Sequence, residues 1–283
     1  MTILLTGGTG TTSSRISSLL KDAKIPFVLT SRRPQPNFVL FDWTEPSTYK
    51  NPFQGHNITA IYLIAPEIQD PFVPMNEFVE LAVKEYGVKR FVLMGGADAR
   101  PGEGRHAGQV WQKLLDLKVE YCVLRPTWFM DNLAEPFSTQ FLATIKAERK
   151  IYTATGDAKI AFISATDIAR VAFRGLVDEK PHNTAYRIEG PEALTYDEIA
   201  DKLTNCLGVK IEHVKLSEED RVKNMVELGS AELSAKFIAT LEARVARMGE
   251  LPSSKDVEKV LGRTPQTFDN FAREHKAVWS RSQ

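Results

Sequence analysis

Gly7, Gly10 and Ser13 stand at even three-residue spacing directly behind the apolar run TILLT. Small residues in that pattern suit one chemistry: glycine permits a tight turn, lets the backbone approach a pyrophosphate, and leaves the first N–H groups of a following helix aimed at the anion. Ser13 takes the position usually held by a third glycine and is still small enough for strand and helix to pack closely. A generic tight turn uses the same residues, so the surrounding elements decide between the two readings.

A second group lies at the end of the next apolar run, where the chain reads Thr30-Ser31-Arg32-Arg33 and carries no Asp or Glu between Lys24 and Phe41. A site that prefers NAD places a carboxylate there for the ribose hydroxyl, whereas arginines hold a 2′-phosphate through charge-assisted forks. The pattern points to NADP(H), with a solvated basic turn as the alternative.

These residues need a scaffold, and the chain supplies one. The runs TILLT, PFVLTS, NFVLF, ITAIYLIA, KRFVLMG and VEYCVLRP are continuous and apolar, as strands covered on both faces by helices must be. Between the first two, Ile16, Leu19, Leu20 and Ala23 repeat at helical spacing before Ile25-Pro26 ends the pattern. The alternation predicts an α/β fold: a doubly wound parallel sheet with right-handed crossovers. The glycines then fall at the first strand-to-helix junction, where a dinucleotide's phosphates belong, and the cradle reading prevails over the generic turn. Residues 1–150 are expected to form the nucleotide domain and 151–283 a smaller, mostly helical substrate lobe, with 157–178 returning to the first domain. Asp167 is expected near a helix start, and Thr195 with Glu198 fits a capping box.

Composition narrows the partners. The 283 residues are 43% hydrophobic, and 36 Lys and Arg balance 36 Asp and Glu, so no net charge draws the chain to nucleic acid or an anionic membrane. A small-molecule partner is expected. No apolar run approaches membrane-spanning length and no charged leader precedes the first strand, so a cytoplasmic protein is expected. Cys122 and Cys206 read as buried thiols of a reducing compartment. His56, His106, His182, His213 and His275 show no metal-ligand spacing, and no metal site is expected. The oligomeric state is not legible.

Ligands of such sheets bind beyond the carboxyl ends of the strands. That directs attention to Asp98, Arg100 and His106 behind the fifth run, and to Trp128, Phe129 and Met130 behind the sixth. Asp98 could steady a cationic nitrogen or move its proton, and Arg100 could bind a carbonyl or amide oxygen; exposed loop charges are the alternative for each. Trp128, Phe129 and Met130 could give an indole-like substrate a flat apolar wall and a cation–π surface, or simply pack in the core. Asp131-Asn132 could orient a substrate or start the next helix.

The stretches LLTGGTG, KRFVLMG, VLRPTWFMDN, TATGDAKIAFISATDIA and FDNFAREHKAVW, spread over nearly the whole chain, resemble the NmrA-like branch of the atypical short-chain dehydrogenases. Within it they resemble the fungal ergot-alkaloid reductases of the festuclavine dehydrogenase type. The resemblance implies a Rossmann-like nucleotide domain, a C-terminal substrate lobe and work on a scaffold such as a prenylated indole alkaloid precursor. It implies that Gly7, Thr9, Gly10, Thr11 and Thr12 hold the pyrophosphate, that Arg32, beside Ser31 and Arg33, holds the 2′-phosphate, and that Asp42 approaches the adenine. Ala65, Pro66 and Gly95 would line the nicotinamide side.

The departures from the wider dehydrogenase pattern bear on mechanism. Ordinary short-chain dehydrogenases carry a Ser after the fifth strand and a Tyr-x-x-x-Lys on the following helix, the Tyr protonating the carbonyl oxygen. Here those positions read Met94-Gly95-Gly96-Ala97 and Gln109-Val110-Trp111-Gln112-Lys113, so only the lysine survives. An alkoxide would lack its proton donor, whereas an iminium ion accepts hydride to give a neutral amine directly. The expectation is an NADPH-dependent oxidoreductase of fungal secondary metabolism that reduces an iminium or imine, with Asp98, Arg100 and Lys113 near the chemistry. Two alternatives stay open: an NADP(H)-using cyclase, with redox-mediated ring closure or a Diels-Alder-type cycloaddition, and a non-catalytic NADP sensor.

Overall fold

The computed structural model describes residues 2–136, 139–248 and 254–280. The chain divides into two compact units, and the first is the stretch up to Pro126 together with Ala165–Ile188 and Asp256–Arg263. Its strands are β1 (Thr2–Leu5), β2 (Phe27–Ser31), β3 (Phe38–Leu40), β4 (Ile58–Leu63), β5 (Arg90–Met94), β6 (Glu120–Pro126) and β8 (Thr184–Ile188). They form one parallel seven-stranded sheet in the order β3-β2-β1-β4-β5-β6-β8. The chain winds outward from β1 to β3, then resumes on the other side of β1 with β4. Strand order therefore reverses between β1 and β4, and a crevice opens at their carboxyl ends.

The continuous apolar character of the runs follows from burial on both faces. Ile3, Leu4 and Leu5 are buried, as are Ile61, Tyr62 and Leu63. Helices α2 (Phe72–Lys84) and α3 (Ala107–Asp116) pack together and bury Phe78, Val110 and Leu114 in a core shared with Phe91 and Val123. Helices α1 (Thr11–Asp22) and α5 (Ala165–Val177) pack against one another, and α9 (Asp256–Leu261) lies against α5 and β8. Asp167 sits in the first turn of α5, buried, and forms ion pairs with Arg170 and Arg263. Cys122 on β6 is buried, which pushes its thiol up to about 12 and makes it inert. Cys206 is only half-buried, a departure from the expectation of two buried thiols; its Sγ lies against the carbonyl of Ala272.

The second unit comprises Thr127–Ser164, Glu189–Lys255 and the chain from Thr264 onward. It contains α4 (Phe141–Glu148), β7 (Lys150–Thr153), α6 (Tyr196–Leu207), β9 (Glu212–Lys215), α7 (Glu218–Glu227), α8 (Glu232–Met248) and α10 (Phe268–Trp279). β7 and β9 pair in parallel. α6 starts with the expected capping box: Thr195 Oγ1 accepts from Glu198 N at 3.1 Å and Glu198 Oε2 accepts from Thr195 N at 2.7 Å. Trp279, Phe268 and Phe271 fill the core with Met130, Phe162 and Tyr196, and Trp279 Nε1 donates to Leu133 O at 2.6 Å. Arg221 and Glu242, both fully buried, tie α7 to α8 at 3.2 Å, with Glu242 accepting from Ala154 N. A boundary at residue 150 falls between α4 and β7, inside this unit. The chain leaves the large sheet earlier, at Pro126, and gives α5, β8 and α9 back to it: α5 packs on β4, β5 and β6, β8 hydrogen-bonds to β6, and α9 lies on α5 and β8. No helix among the described residues is long and apolar enough to cross a membrane.

Candidate functional site

The glycine turn is shaped by three close approaches. Gly7 has φ +60, and a Cβ there would lie 2.6 Å from Ile64 Cγ2, so both the backbone conformation and the space call for glycine. Gly8 N donates to Thr30 O at 2.9 Å, and Gly10 N donates to Gly7 O at 2.8 Å. Ser13 Oγ donates to Thr6 O at 2.9 Å, which pins α1 to the end of β1 and explains why a serine replaces the usual glycine. Thr12 Oγ1 and the buried Tyr62 hydroxyl lie 2.9 Å apart, fixing the same helix turn to β4.

Gly10 is the extended N-cap residue of α1, no side chain caps the helix, and its first turn holds no acid. Uncapped N–H groups and the positive end of the helix dipole thus face the turn, flanked by exposed Thr9 and half-buried Thr11. These residues fit a pyrophosphate.

At the end of β2, Ser31 Oγ accepts from Arg33 N at 3.1 Å. Arg32 and Arg33 are exposed, and among the described residues neither guanidinium is engaged in an ion pair. Asp42 accepts from Thr44 N at 2.8 Å and from Thr44 Oγ1 at 2.7 Å. Its carboxyl is held below the usual range chiefly by that backbone donation, with the Thr44 hydroxyl and the charge of Arg32 adding to it against partial burial. An ionised acceptor and two uncommitted cations therefore stand at one edge of the crevice.

Beyond β4 and β5, Ala65, Pro66 and Gly95 are half-buried, and Gly95 N donates to Leu124 O at 2.8 Å, extending the sheet. Asp98 and Arg100 are exposed on the following loop. Gln109 is spoken for: its Nε2 donates to the carbonyls of Gly102 and Gly104 at 2.5 and 3.1 Å, holding that loop closed. Lys113 forms an ion pair with Glu80 on α2 at 2.6 Å, and Glu80, bonded to Lys113 and Lys84, drops to about 2. The surviving lysine thus has an interhelical partner of its own.

Arg125 lies in the stretch VLRPTWFMDN, but neither it nor Arg187 was assigned a role from the sequence, yet both sit at the carboxyl ends of adjacent strands, in register. The available signal is the arginine that interrupts the apolar run VEYCVLRP. Arg125 Nη2 donates to Ala97 O at 2.7 Å.

In the second unit, Trp128 and Phe129 are half-buried, while Met130 is fully buried in the core. Phe129 pairs with Ile163, and the helical turn Met130–Leu133 directs Met130 into the core, so of the three residues expected to face a ligand only Trp128 and Phe129 keep exposed surface. Asp131 is buried in the same turn. Among the described residues, no cluster of three His, Cys, Asp or Glu side chains could hold a metal ion.

No family model matches the chain. It is 41% identical over 291 residues to festuclavine synthase I of Penicillium roqueforti, covering 99% of this chain and 100% of that protein. It is 38% identical to the agroclavine dehydrogenase of Claviceps fusiformis, covering 99% of each. The NADPH-dependent quinone oxidoreductase of Escherichia coli, solved in complex with NADPH, shares the fold at TM-score 0.78 and 21% identity, over 98% of this chain and 100% of that one.

Proposed function

Because this chain belongs to the family of the fungal festuclavine and agroclavine dehydrogenases, in the NmrA-like branch, we propose that it is an NADP(H)-dependent oxidoreductase that reduces the C=N group of an indole-alkaloid-type iminium or imine. The Gly7–Thr12 turn and the N-terminus of α1 would hold the pyrophosphate, and Arg32 with Arg33 the 2′-phosphate. Asp42 would take the adenosine end, and Ala65, Pro66 and Gly95 the nicotinamide side. Bound there, NADPH supplies hydride.

The observation that carries the choice of C=N is the fate of Gln109 and Lys113. The position where a tyrosine would protonate an alkoxide holds an amide spent on the carbonyls of Gly102 and Gly104, the lysine below it is bound to Glu80, and β5 runs out without a serine. An iminium carbon needs no such acid, since adding hydride leaves a neutral amine. Asp98 and Arg100, exposed on the loop behind β5, would steady a cationic nitrogen and a substrate oxygen. Trp128 and Phe129 offer apolar surface to an aromatic scaffold. The test compares NADPH oxidation by the purified protein with a cyclic indole-derived iminium and with simple ketones. Turnover of the first alone supports the reading, and robust ketone reduction refutes it.

A further inference from the structure

Two loops leave the large sheet side by side at the carboxyl ends of the paired strands β4 and β5: residues 64–71 run into α2 and residues 95–106 into α3. The first carries Ala65 and Pro66, and the second Gly95, Asp98 and Arg100. Groups carried on loops are placed only as well as the loops themselves are held.

The second loop is held along its length. Ala99 N donates to Gly96 O at 3.0 Å, Glu103 N to Arg100 O at 3.2 Å, and Gly102 N to Gly108 O at 2.9 Å. A Cβ on Gly108 would overlap the carbonyl oxygens of Arg100 and Glu103, so the loop lies directly on the first turn of α3, where Gln109 also grips it. It is tied to the first loop by Arg105, whose Nε and Nη2 meet the two carboxylate oxygens of Asp70 at 2.5 and 2.6 Å. A two-point fork of this kind fixes orientation as well as distance. Asp70 stands at φ +51, a left-handed conformation that a residue other than glycine keeps where its surroundings hold it.

Arg105 is exposed and Asp70 half-buried, so water and salt screen the pair and it adds little to the stability of the whole fold. Its effect is local, because it joins the far ends of two loops whose near ends are fixed by adjacent strands. We propose that Asp70 and Arg105 are positioning residues: their fork clasps the β4–α2 loop to the β5–α3 loop and so sets Asp98 and Arg100 for the substrate's C=N group and oxygen. The assignment of what those two groups meet rests on the reductase reading above. Neither Asp70 nor Arg105 needs to touch the substrate, and the clasp governs substrate binding without governing cofactor binding.

The test uses Asp70→Asn, which keeps a residue at home in the left-handed region, Arg105→Gln, and the double variant, each in the full chain. Amide hydrogen exchange is followed by NMR without cofactor or substrate. Ala99, Gly102 and Glu103 should exchange about three- to fivefold faster in each single variant, the range of an exposed ion pair. The double variant should lose no more than either single one, and Leu93 inside β5 should be unchanged. With NADPH and a cyclic indole-derived iminium, KM should rise by a similar factor while the dissociation constant for NADPH stays the same. Unchanged loop exchange, losses that add in the double variant, equal loosening of Leu93, or loosened amides with an unaltered KM would overturn the assignment. Failure of the unmutated protein to turn over the iminium would strike the reductase reading alone, because the exchange measurements judge the clasp separately.

Discussion

Replacing Arg32 and Arg33 together with Ala should remove most of the preference for NADPH over NADH. Both side chains are exposed and neither is committed to an ion pair among the described residues, so the change should leave the first unit folded. On the proposed binding mode it would remove the pair of charge-assisted hydrogen bonds to the 2′-phosphate. Hydrogen bonds to charged groups contribute about 1.5–3 kcal/mol. Exposure places the effect toward the lower end, or roughly ten- to thirtyfold in the ratio of dissociation constants. The remaining charge near the 2′ position would be Asp42, whose low pKa keeps it ionised and repels the phosphate further. Titration calorimetry of both cofactors at two salt concentrations measures this, and the preference should shrink as salt rises because the cations are exposed. Equal affinities of the unmutated protein for NADPH and NADH, or a preference that survives the double substitution, would refute the reasoning.

Gly7→Ala should destabilise the first unit by about 1–3 kcal/mol in chemical denaturation, since the residue sits at φ +60 and its new methyl meets Ile64 Cγ2; an unchanged midpoint would count against the observed turn. Gly10→Val should abolish NADPH binding with the circular dichroism spectrum retained, by placing a branched side chain where the pyrophosphate would lie in the proposed site. Glu242→Gln should cost about 3–5 kcal/mol, because it leaves the buried Arg221 guanidinium uncompensated, and a shift within error in thermal denaturation would contradict the pairing. His213 is held below its ordinary pKa by burial, which outweighs the carboxylate of Asp197. The unfolded chain therefore takes up that proton first, so the contribution is full above about pH 6.5 and is lost as pH falls below it. The melting temperature should drop between pH 7 and 5 more steeply than in His213→Gln.

Much of the first unit was legible because two-sided burial leaves a plain mark. Six continuous apolar runs correspond to β1–β6, and the glycine turn falls where the first of them meets a helix. The seventh strand, β8, was not read as a strand: most of its residues are only half-buried at the sheet edge, and AYRIEG lacks the apolar run. β7 and β9 are four residues each, too short for a period to register. The glycine turn between β1 and α1 is local in sequence and so could be read from it, whereas the partners of Lys113 and Gln109 and the pairing of Arg125 with Arg187 depend on packing. Met130 illustrates the same limit, since an aromatic and thioether stretch looks alike whether it lines a ligand or fills a core.

Transfer of label from C4-deuterated NADPH tests the central claim most directly. Supplied with an indole-derived cyclic iminium and the purified protein, each stereospecifically labelled cofactor should be consumed in proportion to product. One of the two should deliver a single deuterium to the former C=N carbon. Product formed without deuterium and without net NADPH consumption would contradict a reductase and favour ring closure instead.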